Sequence, residues 1–250
     1  MIRRSLPAIA LLAFLFPLVA FARQPVEVSI FDRTAGRELP VYRHAGERYV
    51  AGEPGHEYEI RICNQGGGRV LAVTSVDGVN VITGRTAAPD QSGYVLDAYG
   101  IVEIDGWRKS LDEVAAFYFT SLPDSYAART GRRDNVGVIG VAAFRERVRY
   151  RWMQERESAA VPDAAGTVAE SQTDSAKSEH APGRLGTGHG ERHDSGASYT
   201  SFERASEEPE TVIRIFYDSR RNLLAQGVIP SKHYARNVPD PFPAGFVPDP

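Results

Sequence analysis

Apolar and polar positions alternate with the period of extended chain through most of the sequence. Val26, Val28 and Ile30 fall on one side of the run 26–31. Tyr58, Ile60 and Ile62 alternate with Glu57, Glu59 and Arg61. Both patterns predict half-buried strands. Between them, 38–42 and 48–51 read as short strands separated by Ala45-Gly46, with a turn at Gly52–Gly55. Two runs of β-branched and aliphatic residues then flank Asp77-Gly78, from Arg69 to Gly84. Asp-Gly between such runs predicts a two-residue hairpin turn with positive φ at both central positions. A turn of that length sets Val76 opposite Val79 and Ser75 opposite Asn80. Val76, Val79, Thr74 and Val81 then share one face, and Val73, Ile82, Ser75 and Asn80 the other. A hairpin this apolar requires burial in a larger sheet.

Further along, 94–97 and 101–104 predict two brief strands around Tyr99-Gly100, and Asp105-Gly106 reads as another tight turn. Val114–Phe119 is open to two readings. Ser110 and Glu113 have the spacing of a helix capping box, but the short apolar run ending in three aromatic residues suits a buried strand better. Residues 121–130, with Pro123 early and Gly131 after, predict a short helix. Val136–Phe144 carries no charge and two glycines, as a central strand buried on both faces does. Thr211–Tyr217 reads as a strand that returns to complete the same sheets, and 218–227 as a capped helix closed by Gly227. The pattern as a whole predicts a mainly β fold. It is an antiparallel sandwich of eight to ten short strands, immunoglobulin-like or jelly-roll-like, with one or two short helices.

Composition changes that picture at three places. Residues 1–22 carry Arg3 and Arg4, an uncharged apolar stretch from Leu6 to Val19, and Ala20-Phe21-Ala22. That is the pattern of a secretory signal peptide cleaved after Ala22, the apolar run being short for a membrane span. The mature chain is expected in the periplasm or outside the cell, and not as an integral membrane protein. From 155 to 209, Ser, Ala, Gly, Thr, Asp and Glu dominate. So little apolar surface predicts a long disordered insertion between the sandwich of 23–154 and the closing strand and helix of 210–229. Residues 230–250 form a proline-rich tail. A formal charge of −3 gives no electrostatic basis for nucleic acid as a partner. Cys63 is the only cysteine, which excludes an intrachain disulfide and reads as a buried thiol.

Candidate chemistry is sparse. Gly-x-Ser-x-Gly, His-Glu-x-x-His, a P-loop and paired cysteines are all absent from the sequence, and no residue pattern asks for a cofactor. Three constellations remain. His180, His189 and His193, with Glu191 and Asp194, have ligand types for Zn²⁺ or Cu²⁺ but lie in the segment expected to be a polar linker. If 145–152 is extended, Arg145, Arg147, Arg149 and Arg151 line one face and could hold an acidic polysaccharide, a lipid head group or phosphate. A solvated edge strand, where positive charge deters edge-to-edge pairing, is the plainer reading. Asp90, Asp97, Asp105, Asp112 and Glu113 lie near Tyr94 and Trp107, as in a glycosidase or a Ca²⁺ loop. Asp is also the residue turns use, and Trp107 fits a core or corner. The expectation is an exported, non-catalytic binding module of the bacterial cell envelope, acting on a protein or envelope polymer. The alternatives are a periplasmic metal-binding protein and a glycan-acting hydrolase.

Overall fold

The computed structural model describes residues 24–148 and 183–230. The signal-peptide region, Arg149, Arg151, His180 and the proline-rich tail lie outside these residues. The strands, in chain order, are β1 (Val26–Asp32), β2 (Arg37–Glu38), β3 (Tyr42–His44), β4 (Glu47–Gly52), β5 (Glu57–Asn64), β6 (Val70–Val76), β7 (Val79–Asn80), β8 (Tyr94–Leu96), β9 (Ile101–Ile104), β10 (Gly106–Arg108), β11 (Glu113–Ser121), β12 (Val138–Arg145), β13 (Leu185–Thr187), β14 (Arg192–Asp194) and β15 (Thr211–Ser219). A 3₁₀ turn and the helix α1 (Tyr126–Arg129) follow β11, and α2 (Arg220–Ala225) follows β15. One sheet runs β10-β11-β5-β1-β2, with β9, β13 and β14 attached. The other runs β3-β4-β15-β12-β6-β7, with β8 attached.

The two sheets form a mainly β sandwich. Its core takes the predicted inward positions Val26, Val28 and Ile30 of β1 and Tyr58, Ile60 and Ile62 of β5, joined by Ile213, Ile215 and Tyr217 of β15. The central hairpin has the predicted turn and, over its first two pairs, the predicted register, but beyond Asn80 the chain turns, and Ile82 packs on the main core instead of sharing a face with Val73. Asp77 and Gly78 have φ of 53° and 73°, Val76 pairs with Val79 and Ser75 with Asn80. β12 is central, flanked by β6 and β15, and 114–119 is strand rather than helix. Ser110 spends its capping hydroxyl on the N–H groups of Asp112 and Glu113 in a turn.

Four expectations are corrected. Strands number fifteen among the described residues, because several are two- or three-residue pieces. The sandwich is not purely antiparallel, since β4 and β15 pair in parallel. Asp105-Gly106 is not a turn. The chain passes straight from β9 to β10 and changes partner there, β9 pairing with β5 and β10 with β11. Gly106 is needed at that fork because a Cβ would sit 2.3 Å from the Ala115 carbonyl oxygen.

The fourth correction concerns the insertion. Of the segment 155–209, residues 155–182 lie outside the described residues, but 183–209 is built into the fold. β13 and β14 pair with the outer edge of β11. Gly188, Gly190, Ser195 and Ala197 donate backbone hydrogen bonds to Tyr118, Ala116, Asp112 and Leu111. Composition missed this because adding a strand to an open edge uses backbone groups and needs few apolar side chains. Phe202 then packs on the outer cluster of Leu71, Val73, Ala142 and Phe144, while Arg204 lies 4.1 Å over the Phe144 ring.

The two sheets and the added strand meet in a buried polar chain. Asp77 Oδ1 accepts from the Tyr217 hydroxyl at 2.5 Å and from the Gly137 N–H at 2.9 Å, and Oδ2 from the Thr187 N–H at 2.8 Å. Thr187 Oγ1 lies 2.7 Å from the Tyr217 hydroxyl and 2.6 Å from that of Tyr58. A carboxylate only accepts, so the protons run one way: Tyr58 to Thr187, Thr187 to Tyr217, Tyr217 to Asp77. Burial, then the charge of Asp77, pushes both phenols well above their ordinary range and keeps them protonated. Burial also raises the Asp77 carboxyl, and hydrogen bonds from Tyr217, Thr187 and Gly137 pull it back. A hairpin turn thus becomes the joint between the sheets.

Candidate binding groove

The described residues among the histidines and arginines singled out in the sequence, His189, His193, Arg145 and Arg147, have local partners. His193 Nε2 lies 2.7 Å from Asp105 Oδ2, and the Ser195 hydroxyl donates to Asp105 Oδ1 at 3.3 Å. These contacts fasten β14 at the fork where β9 becomes β10. Arg108 adds to the fastening by donating to the Ser195 carbonyl and to the Tyr94 hydroxyl. His189 stacks near Tyr126, with centroids 5.7 Å apart. Among the described residues no group of three or more His, Cys, Asp or Glu is placed to hold a metal ion.

The His189 imidazole is lowered from its usual 6.5, first by burial and then by Lys109, with Arg192 and Arg129 adding, against a hydrogen bond to its own backbone. A lowered imidazole takes its proton in the unfolded chain first, so this group withdraws stability as pH falls from about 6.5 towards its lowered value. His189→Gln should therefore lose less melting temperature than the parent between about pH 7 and pH 5. Equal losses would show that the imidazole does not contribute to the acid limb.

β12 ends at Arg145, and Arg147 lies beyond it, so these two do not form the start of an extended arginine face. Arg145 pairs with Glu210. Arg147 pairs with Glu203 at 2.7 Å and bonds to its carbonyl through the backbone. Of the carboxylates, Asp97, Asp105 and Glu113 have separate partners, Glu113 lying 3.6 Å from Arg192. Asp97 is exposed beside Arg69 at 3.7 Å, and Asp105 holds His193. Trp107 is core, edge-on to Phe117 and against Tyr126. Cys63 is half-buried, and burial raises its thiol.

The feature that sequence reading passed over as a plain loop is Asn64–Gly68. Asn64, 3% exposed, pins two loops together. Its Nδ2 donates to the carbonyls of Gly68 and Asp97, both at 2.7 Å, and its Oδ1 accepts from the Gly66 N–H. Its own N–H donates to the Gly100 carbonyl. The pinned loops hold Tyr99 in the left-handed region at φ 57°, with its N–H bonded to Gly66. An aromatic residue rarely adopts that conformation, and strain of this kind collects at binding sites. Tyr99 is nevertheless 73% exposed. Its hydroxyl lies 3.5 Å from where a Cβ on Gly67 would stand, so the ring rests against the glycine loop.

Beside it runs a groove of about 440 Å³ lined by Gln24, Asn64, Gln65, the three glycines, Arg69, Arg145 and Val148, among others. Arg69 braces its wall, bonding to Glu146 at 2.7 Å, Thr200 and the Ser201 carbonyl. Ile101 and Val148 are both exposed nearby. Three consecutive glycines followed later by Tyr99-Gly100 were the available sequence signal.

Comparison with protein-family models, curated proteins and solved structures gives no match to this chain. No helix among the described residues is long and apolar enough to cross a membrane.

Proposed function

We propose that the protein is an exported, non-catalytic module of the cell envelope that binds a polysaccharide strand along the groove beside Tyr99. The observation that carries this reading is the exposed, strained tyrosine resting against the glycine loop that lines an amide-bearing groove. A tyrosine face stacks on the C–H face of a sugar ring, and amide and guanidinium groups hydrogen-bond its hydroxyls. The groove has room for a small ligand or one stretch of a chain. The signal-peptide pattern of residues 1–22 supports export, which would bring the groove to envelope polymers.

Tyr99→Gly separates binding from folding. Glycine takes φ 57° freely, so the variant is expected to gain about 1 kcal/mol of stability. It should also bind isolated peptidoglycan or soluble neutral and acidic glycans at least about tenfold more weakly than the parent. Affinity equal to the parent's for every glycan that the parent binds, or no binding by the parent to any of them, would overturn the proposal.

A further inference from the structure

A second cleft lies where β15 runs into α2. It measures about 310 Å³ and is lined by Tyr49, Gly137, Arg184, Phe216, Tyr217, Asp218, Leu223 and Gln226. Asp218 is 8% exposed. Its Oδ1 is fully engaged, accepting from the backbone N–H of Ser219 at 2.7 Å, Asn222 Nδ2 at 2.9 Å and the backbone N–H of Leu185 at 3.2 Å. Its Oδ2 has no hydrogen-bond partner among the described residues. Thr74 Oγ1 is the one sealed-off side-chain polar atom without a partner among them, so Asp218 Oδ2 reaches solvent, and the cleft is an opening that its residue lines. A carboxylate so nearly buried is costly without an opposite charge or a donor on its second oxygen.

The positive group on the same wall does not serve it. Arg184 donates to the Val136 carbonyl at 2.8 Å and forms no ion pair among the described residues. Two opposite charges line one cleft and leave each other unpaired, while the rings of Tyr49 and Phe216, with centroids 5.5 Å apart, supply an aromatic wall. Aromatic faces attract ammonium groups, a guanidinium grips a carboxylate, and the volume suits a small molecule.

We infer that this cleft binds a free α-amino acid, its ammonium group on Asp218 Oδ2 and its carboxylate on Arg184. The site is distinct from the groove beside Tyr99 and stands or falls without it.

Isothermal titration of the full chain with leucine, phenylalanine and glycine tests the inference. Isoamylamine, which keeps the amine of leucine and lacks the carboxylate, and N-acetyl-leucine, which lacks the ammonium, serve as controls. At least one amino acid should bind, and both leucine controls should bind at least about tenfold more weakly than leucine. Asp218→Asn keeps the Oδ1 acceptor and its three donors, so it should melt as the parent does while losing at least about tenfold in amino-acid affinity. Arg184→Gln should lose affinity for leucine and leave that for isoamylamine unchanged. No heat from any amino acid up to about 10 mM, unchanged affinity in Asp218→Asn, or isoamylamine binding as tightly as leucine would each overturn it.

Discussion

Asp77→Ala is expected to lower the unfolding free energy by about 3–5 kcal/mol, from the orphaning of three buried donors at roughly 1–3 kcal/mol each with partial relief by water. The donors are the Gly137 and Thr187 N–H groups and the Tyr217 hydroxyl. Alanine is also poorly suited to the φ of 53° that Asp77 adopts, whereas aspartate tolerates that region. A typical domain has only about 5–15 kcal/mol in total, so the variant should be near the limit of folding. Asp77→Asn should fall between parent and alanine, because Oδ1 can keep Tyr217 and Gly137 while an amide N–H₂ faces the Thr187 N–H. Tyr217→Phe should cost about 1–2 kcal/mol, as one hydroxyl is lost from the chain. Urea unfolding of the set checks the order. A loss of under about 1 kcal/mol in Asp77→Ala would mean that the polar joint does not hold the sheets together.

Trp107→Ala should cost about 3–5 kcal/mol, the range for deleting a large buried aromatic side chain. The ring is 3% exposed, packs edge-on to Phe117 at 5.1 Å and lies 4.8 Å from Tyr126. Its Nε1–H donates to the Gly188 carbonyl at 3.0 Å, which ties the added segment to the core. The variant should therefore lose hydrogen-exchange protection at the amides of 185–195 beyond what its lower global stability explains. Trp107→Phe keeps most of the packing and should cost about 1 kcal/mol for the lost hydrogen bond. Uniform loss of protection across both sheets in Trp107→Ala would show that the segment is not separately fastened there.

These two residues also mark where sequence reading stopped. Asp77 was legible as a turn residue because a type I′ turn depends on two adjacent dihedral angles, a local property. Its carboxylate as acceptor for Tyr217 and Thr187 depends on residues 140 and 110 positions away, and no local pattern encodes that. Tyr99 and the glycine loop were legible as a connection, but the strain and exposure that mark a site appear only once Asn64 has pinned the two loops. Asp218 read as part of a helix start. Only the fold shows that one of its oxygens is spent on that start and the other is left open.

By itself the sequence determined the strands of periodic, half-buried chain, the turn of the central hairpin with its first two pairs, and the mainly β sandwich. Those follow from side-chain alternation and turn chemistry, which act over a few residues. Tertiary structure alone decided that 183–209 adds to the open edge of β11, that Gly106 marks a fork instead of a turn, and that β4 and β15 run parallel. Each rests on backbone hydrogen bonds or close approaches between distant segments, and backbone groups are the same in every residue but proline, so composition carries no trace of them.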